Sequence, residues 1–480
     1  MVKSPKSQES LLVFSDVHLG SDLNDCGPVT LRRTSSIDAD LISLLAHYRN
    51  EPAPNGLWRV VIAGDFIDFI GMSITSEGAL ATPLNDEERA HGLGSGEDHS
   101  REKLRRVAIR HAAVFAELAA FVAGGHALTL IHGNHDIELH WDGVKEDFRD
   151  ILLRHAEAAG AVDREAFLSR IEFQPWFFYR DGVAYIEHGH QYDPFCSTAH
   201  VMAPLSPLDP RRVARGFSDV LLRYVVRPTR GMTEHGHERF GMAHYVAFGV
   251  QLGISGMVRL GVRFVRAIIE LFRLRSAHLS QASQRLRAEH EKRIGRLARV
   301  TRVGKKRLKK LLSLQALPIT TTVSGIMASL LLDRMALTIG GILAIAAVAI
   351  AASFYPVVLF ALTAVLAAWV LVHRHLSRRR TVDPAATMVE RAAQLSRLFP
   401  AAFVVMGHTH VPVERAAGDA TYINLGSWAE EEPVEGAAPM ETPARAARTH
   451  VVIHIDEHGP KAHLRTWDPL ARTVRATSTH

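Results

Sequence analysis

At 480 residues, 47% hydrophobic and 22% charged, the chain is long enough for two or three domains around a large buried core, and it is neither a disordered nor a fibrous sequence. Lys and Arg number 56 against 50 Asp and Glu, so where the basic excess lies is more informative than its size. Two cysteines, Cys26 and Cys196, exclude a disulfide framework and a four-thiolate zinc site and suit a reducing compartment.

The first zone, residues 1–195, alternates short apolar strands with helical stretches. The order is Leu11–Phe14, a helix near Ile37–Tyr48, Trp58–Asp65, a helix near Arg101–Val122, and Ala127–Gly133, the pattern of an α/β domain. The run Leu11–Phe14 is too short for a signal-peptide core, so export of this part is not expected. Between Gly71 and Ser100 lies a polar, glycine-containing loop, read as a lid, a substrate wall or a mobile segment. The stretch Trp176–His190 predicts two strands joined by a turn at Asp181-Gly182.

The middle zone, residues 196–395, differs. Arg259 to Lys310 holds 17 Lys and Arg against three acids. It reads as a surface for anionic membrane lipids; a solvated stalk is the first alternative, and nucleic acid is the less favoured partner. Met335 to Val372 then runs 38 residues without a charged side chain, enough for a transmembrane hairpin turning at Ser353–Pro356. The apolar stretch Leu317–Leu332 before it could span, re-enter or lie flat. The third zone, residues 396–480, returns to strand text at Ala401–Pro412, Thr421–Trp428 and Thr449–Asp456. These look like missing strands of the first zone, which makes the middle zone an insertion that crosses the membrane an even number of times. The basic flanks, 305–310 and 373–380, put both ends in the cytoplasm by the positive-inside tendency.

Five stretches share one grammar, an apolar strand followed by metal-liking residues: Asp16 and His18; Asp65 and Asp68; Asn134, His135 and Asp136; His188 and His190; His408 and His410. Residues at the carboxyl ends of neighbouring strands converge on the crevice where open α/β sheets bind ligands. Asp, Asn and His offer oxygens and imidazole nitrogens without thiolate, which suits manganese, iron or zinc better than a structural zinc cage. So many donors suggest two divalent ions about 4 Å apart that clamp a phosphoryl group. Either His188 or His190 could serve as the ligand, with His188 preferred because it directly follows its strand. His132 reads as a packed strand residue, Asn424 as a possible wall of the phosphate pocket, and Asp68 and Trp428 as either supporting or core residues.

On these five motifs the sequence resembles the calcineurin-like metallophosphoesterase superfamily over residues 11–195 and about 396–456. The resemblance implies a four-layer α/β/β/α sandwich, interrupted here by the basic helical and transmembrane insertion, around a dinuclear centre. One metal would be held by Asp16, His18, Asp65 and His410, and the second by Asp65, Asn134, His188 and His408, with Asp65 bridging. It further implies a metal-bridging hydroxide as nucleophile, His135 as phosphate-charge stabiliser or general acid, and Asp136 as the group that orients the imidazole. Manganese is the expected ion, with iron or zinc as alternatives. The motifs look most similar to the branch containing UDP-2,3-diacylglucosamine hydrolases, although this chain reads Gly-Asn-His-Asp where that branch reads Gly-Asn-Arg-Asp. The expected protein is therefore an integral, multi-pass membrane hydrolase, its catalytic domain facing the cytoplasm, acting on a lipid-linked or membrane-proximal phosphoester or pyrophosphate. A nuclease or nucleotide phosphodiesterase, and a non-catalytic scaffold of the same fold, are the alternatives.

Overall fold

In the computed structural model, strands β1 (Ser10–Phe14), β2 (Trp58–Ala63), β3 (Ala127–Ile131) and β4 (Ile171–Gln174) pair in parallel. The structure describes residues 9–25, 34–76, 78–229, 232, 242–355, 360–378, 384–429, 448–468 and 473–476, so Cys26 lies outside the described residues. Every residue of β1 and β3 is buried, as expected of parallel strands covered on both faces. β10 (Arg448–Asp456) adds antiparallel to β1 and is followed by β11 (Gly459–Asp468) and β12 (Thr473–Ala476), completing a seven-stranded mixed sheet. A second, five-stranded sheet has the order β5 (Phe177–Arg180), β6 (Gly182–Glu187), β7 (Ala401–Met406), β9 (Ala420–Asn424) and β8 (Val413–Ala417). The hairpin expected at Asp181-Gly182 is present, with Gly182 at φ 71°.

Side-chain alternation sorts the core. Leu12 and Phe14 of β1 pack with Leu41, Phe115 and Phe148 of the helices Thr34–Asn50, Ala112–Ala123 and Asp142–Ala159. Leu11 and Val13, on the opposite face, join Val61, Ile186, Val405 and Ile423 in a cluster shared by the two sheets. The far face of the second sheet, through Tyr185, Val404 and Tyr422, packs on Ile294, Leu308, Leu311 and Leu395. Strands of the first and third zones thus share one sheet, β1 beside β10, and another, β6 beside β7.

Three expectations are modified. The single helix near Arg101–Val122 is two, Glu97–Arg110 and Ala112–Ala123, because His111 leaves helical geometry (φ −110°, ψ 33°). Its ring is hydrogen-bonded instead to Asp38 at 2.9 Å and to the Gly20 amide at 3.2 Å. The loop of residues 71–100 contains the helix Asp86–His91, started by a capping box in which Asn85 and Glu88 bond each other's amides at 2.9 Å. Glu87 pairs with Arg223 at 2.6 Å and Glu88 with Arg212 at 2.5 Å, which ties this segment to the inserted zone. Nor is the basic segment a free stalk: the helices Gln281–Thr301 and Lys305–Leu312 bury one apolar face in the cluster that the helix Pro384–Leu398 forms on the second sheet.

Among the described residues one helix, Leu332–Phe354, is long and apolar enough to cross a membrane, with mean hydropathy 2.4 in its best window and none of that window buried. Its 23 residues reach about 35 Å, against a hydrocarbon core of about 30 Å. The neighbouring apolar helix Phe360–Leu376 has 17 residues, about 25 Å, so the two crossings expected from the uncharged run are met in length by one helix only. The expected turn at 353–356 runs into residues 356–359, which lie outside the described residues. The preceding apolar stretch forms the seven-residue helix Val323–Ser329, whose Ile326 is buried against the long helix Met242–His278.

Candidate metal centre

The five motifs occupy the carboxyl ends of β1, β2 and β3 in one sheet and of β6 and β7 in the other, and within each sheet these strands are parallel neighbours. Among the described residues seven non-glycine positions have positive φ, and five belong to the motifs: Asp16, His18, Asp65, His408 and His410. Left-handed backbone costs an L-residue about 1–2 kcal/mol, and such strain persists where surrounding structure over-determines it, as at functional sites. Here the lock is a web of backbone bonds. The Val17 and His18 amides donate to Asp65 O at 2.9 and 3.0 Å, the Gly407 amide to His188 O at 3.0 Å, and the Trp428 amide to Asp16 O at 3.0 Å.

Asp65 lies at the middle. Its Oδ1 accepts the His135 amide at 2.9 Å, while Oδ2 lies 3.2 Å from His188 Nε2 and 3.8 Å from His18 Nε2. One carboxylate oxygen is thereby placed between imidazoles of the two expected ligand sets. Gly133 makes the approach possible, since a Cβ there would overlap the Asp65 carboxylate. On one side Asp16, His18 and His410 converge, with His410 Nε2 3.2 Å from Asp16 Oδ1. On the other, Asn134 Oδ1 is 3.1 Å from His188 Nε2, and His188 Nδ1 is bonded to the Ala63 carbonyl at 2.9 Å, which leaves Nε2 facing Asp65 and Asn134. Between the two histidines left open by the sequence, the structure brings His188 to the carboxylates. His190 is buried with its ring 5.4 Å from His188, and its Nδ1 has no hydrogen-bond partner among the described residues.

His408 is set apart from this group. Its ring centroid is 5.3 Å from that of His188, but its Nε2 is 3.0 Å from Asp193 Oδ2, and it clusters with Asp193 and Cys196. Asp193 lies five residues after His188 and was not singled out in the sequence; nothing in its local pattern marks it. Asn424 and Trp428 turn inward: Asn424 Nδ2 donates to the Gly407 carbonyl at 2.7 Å, bracing the last histidine loop, and Trp428 is a core ring bonded to Thr449 O. His132 is buried at the end of β3, as expected of a packed residue.

The expected partnership of His135 and Asp136 is not found. Asp136 accepts the Gly133 and Phe66 amides at 2.6 and 2.8 Å, so it clamps two ligand loops together instead of orienting the imidazole. His135 Nδ1 is bonded at 2.7 Å to Asp68, which is fully buried and pairs with Arg227 at 3.4 Å. Burial opposes ionisation of Asp68, but the positive charges of His135 and Arg227 prevail and hold its carboxyl well below the usual range. Burial alone would lower His135; Asp68 and Asp65 instead push it up to about 9. Asp136→Ala leaves two buried amides without acceptors, an expected stability loss of about 2–5 kcal/mol in urea unfolding, and Asp136→Asn a smaller one.

The donor set fits metal ions. Groups of three His and Asp ligand atoms lie within 4.8 Å of one another around Asp16 and Asp65, the oxygens are hard donors and the imidazoles borderline ones. His18, despite nearby Asp65, is lowered to about 3 by burial and by His135, so it is neutral and able to ligate. His188, against its burial, is pushed up to about 10 by Asp65 and Asp16 in the metal-free protein. An ion must displace that proton, so metal affinity is expected to rise with pH between 6 and about 10, with proton release measurable by calorimetry in buffers of different ionisation enthalpy. Affinity independent of pH would exclude His188 as a ligand.

Fold and site together define a mixed α/β protein with two mixed sheets and a cluster of His and Asp side chains able to hold metal. No protein-family model matches the chain, and a search of curated proteins finds no relative.

Proposed function

We propose that the protein is a dinuclear-metal-dependent phosphoester hydrolase of the calcineurin-like metallophosphoesterase superfamily, held at a membrane and acting on a lipid-linked or membrane-proximal phosphoester or pyrophosphate. The observation that carries this reading is Asp65 Oδ2, set between His18 and His188. The layer order, helices outside each of two facing sheets, agrees with the sandwich that the resemblance implies. Two divalent ions, manganese before iron or zinc, held by Asp16, His18, Asp65 and His410 and by Asp65, Asn134, His188 and His408, would supply Lewis-acid stabilisation of phosphoryl charge and an activated water.

The chain's own part follows from its hydrogen bonds. Asp68 fixes His135 through Nδ1, which leaves Nε2 to donate a proton to the leaving oxygen. Arg227 keeps Asp68 ionised and so keeps that proton on His135. Asn134 contributes a neutral oxygen, so the ligand set carries less negative charge and the ions stay electrophilic. The apolar helix Leu332–Phe354 anchors the molecule, which raises the local concentration of a membrane substrate, and the basic flanks favour a cytoplasmic catalytic domain.

The test is hydrolysis of bis-p-nitrophenyl phosphate and p-nitrophenyl phosphate by metal-stripped, detergent-solubilised protein after manganese is restored. Metal-restored cleavage is expected, and preference between the two substrates separates diester from monoester chemistry. Absence of cleavage of either, or of a lipid pyrophosphate, by protein that has bound metal would exclude the hydrolase.

A further inference from the structure

The helix Met242–His278 kinks at Gly253 (φ 66°) and beyond it runs about 37 Å. One face is used. Ala267, Leu271 and Leu274 are buried, with Leu260 and Phe264 half-buried, against Ile70, Val220, Val225 and Ile326. The opposite face is apolar as well. Ile254, Val258, Val262, Val265 and Ile269 are between 47% and 80% exposed, and their spacings of four, four, three and four place them on one stripe. Beside the stripe, Arg259, Arg266 and Arg273 recur every seventh residue and are exposed. The one acid of this stretch, Glu270, is paired with Arg273.

Exposed branched aliphatics in a row are unfavourable in water and mark a surface that meets something apolar. A row of arginines along one edge selects what that is: their stems can lie on the apolar layer while the guanidinium groups reach phosphates. Continuity with the apolar span points the same way. The short helix Val323–Ser329 touches both this helix and Leu332–Phe354.

We propose that Ile254–Ser276 lies in the headgroup–acyl boundary of an anionic bilayer, its aliphatic stripe toward the acyl chains and Arg259, Arg266 and Arg273 toward lipid phosphates. The helix is tied to the candidate metal centre. Arg263 donates to Thr229 Oγ1 at 3.0 Å, and Arg227, two residues before Thr229, pairs with the Asp68 that holds His135. If the proposed hydrolase reading holds, the seated helix also fixes the proton donor relative to the membrane surface. The docking itself does not depend on that chemistry.

The experiment uses the full chain with Cys26→Ser and Cys196→Ser, spin-labelled one position at a time through Ile254→Cys, Val258→Cys, Val262→Cys, Val265→Cys and Ile269→Cys, with Ser255→Cys and Arg266→Cys as comparators. The protein is reconstituted in vesicles of phosphatidylcholine and phosphatidylglycerol. Power saturation is measured with oxygen and with a water-soluble nickel chelate. Stripe labels reached by oxygen and not by nickel, against comparators reached by nickel, are the expected result. Nickel access along the whole stripe overturns the proposal, as do immobilised labels shielded from both reagents, which would mean a protein partner or a second copy. If the cysteine-free protein does not fold, Val258→Trp and Val265→Trp with native cysteines give the same reading through added quenching by brominated lipids. No outcome requires turnover, so loss of the hydrolase reading and loss of this one are separately visible.

Discussion

Asp65→Asn is expected to lower metal-dependent phosphoester cleavage by about 10³-fold or more, the scale of several kcal/mol that charge stabilisation at a reacting phosphoryl group supplies. The reason is geometric. Asp65 is buried, its Oδ1 is fixed by the His135 amide, and its Oδ2 is the oxygen that faces both His18 and His188. Asn keeps the shape but removes the charge that two cations would share, and it offers an amide nitrogen to one of them. Metal content, measured by inductively coupled plasma mass spectrometry, should fall by about one ion per chain. Wild-type metal content in Asp65→Asn would remove the bridging role and, with it, the assignment of ligands to two sets.

The second large effect is expected at His135. His135→Ala should reduce turnover by about 10²–10⁴-fold, the usual worth of a positioned proton donor, while metal content stays at the wild-type level. The two readouts separate a proton donor from a ligand. Asp68→Asn should fall between wild type and His135→Ala, because the ring keeps a hydrogen-bond partner but loses the charge that raises its pKa. The pH profile carries the sign. A protonated His135 is the active form, so wild-type activity declines as pH rises through its pKa. That value is pushed up to about 9 in the metal-free protein and drawn down when cations sit beside it. His135→Ala should lack this basic limb, and a limb that survives unchanged would assign the proton elsewhere.

Much of the sheet text was legible because its central strands are covered on both faces. Leu11–Phe14 and Ala401–Met406 read as unbroken apolar runs, Trp58–Ala63 and Ala127–Ile131 as runs broken once, by Arg59 and Thr129, and metal-liking residues follow each within three positions. β4, β8, β11 and β12 were not legible; they lie toward the sheet edges, where exposed polar residues such as Glu414 and Arg415 of Val413–Ala417 leave no clear period. Which carboxylate serves His135 was also hidden. Asp136 is its neighbour in sequence, but the chain turns so that Asp136 meets the Gly133 and Phe66 amides, while Asp68 arrives from the β2 loop. Arg227 and Asp193, supplied from beyond the β6 strand end, reach the site only through tertiary packing. The docked face of the basic helices was hidden because their charge conceals Ile294, Leu308 and Leu311, the apolar residues they bury.

The central claim, that these strand ends hold two metal ions around Asp65, is tested most directly by titrating manganese into metal-stripped protein and recording its electron paramagnetic resonance spectrum. The account predicts that about two ions bind per chain and that the loaded protein gives the multiline spectrum of an exchange-coupled pair. A simple six-line spectrum at saturation, or no retained manganese, iron or zinc at all, would contradict it.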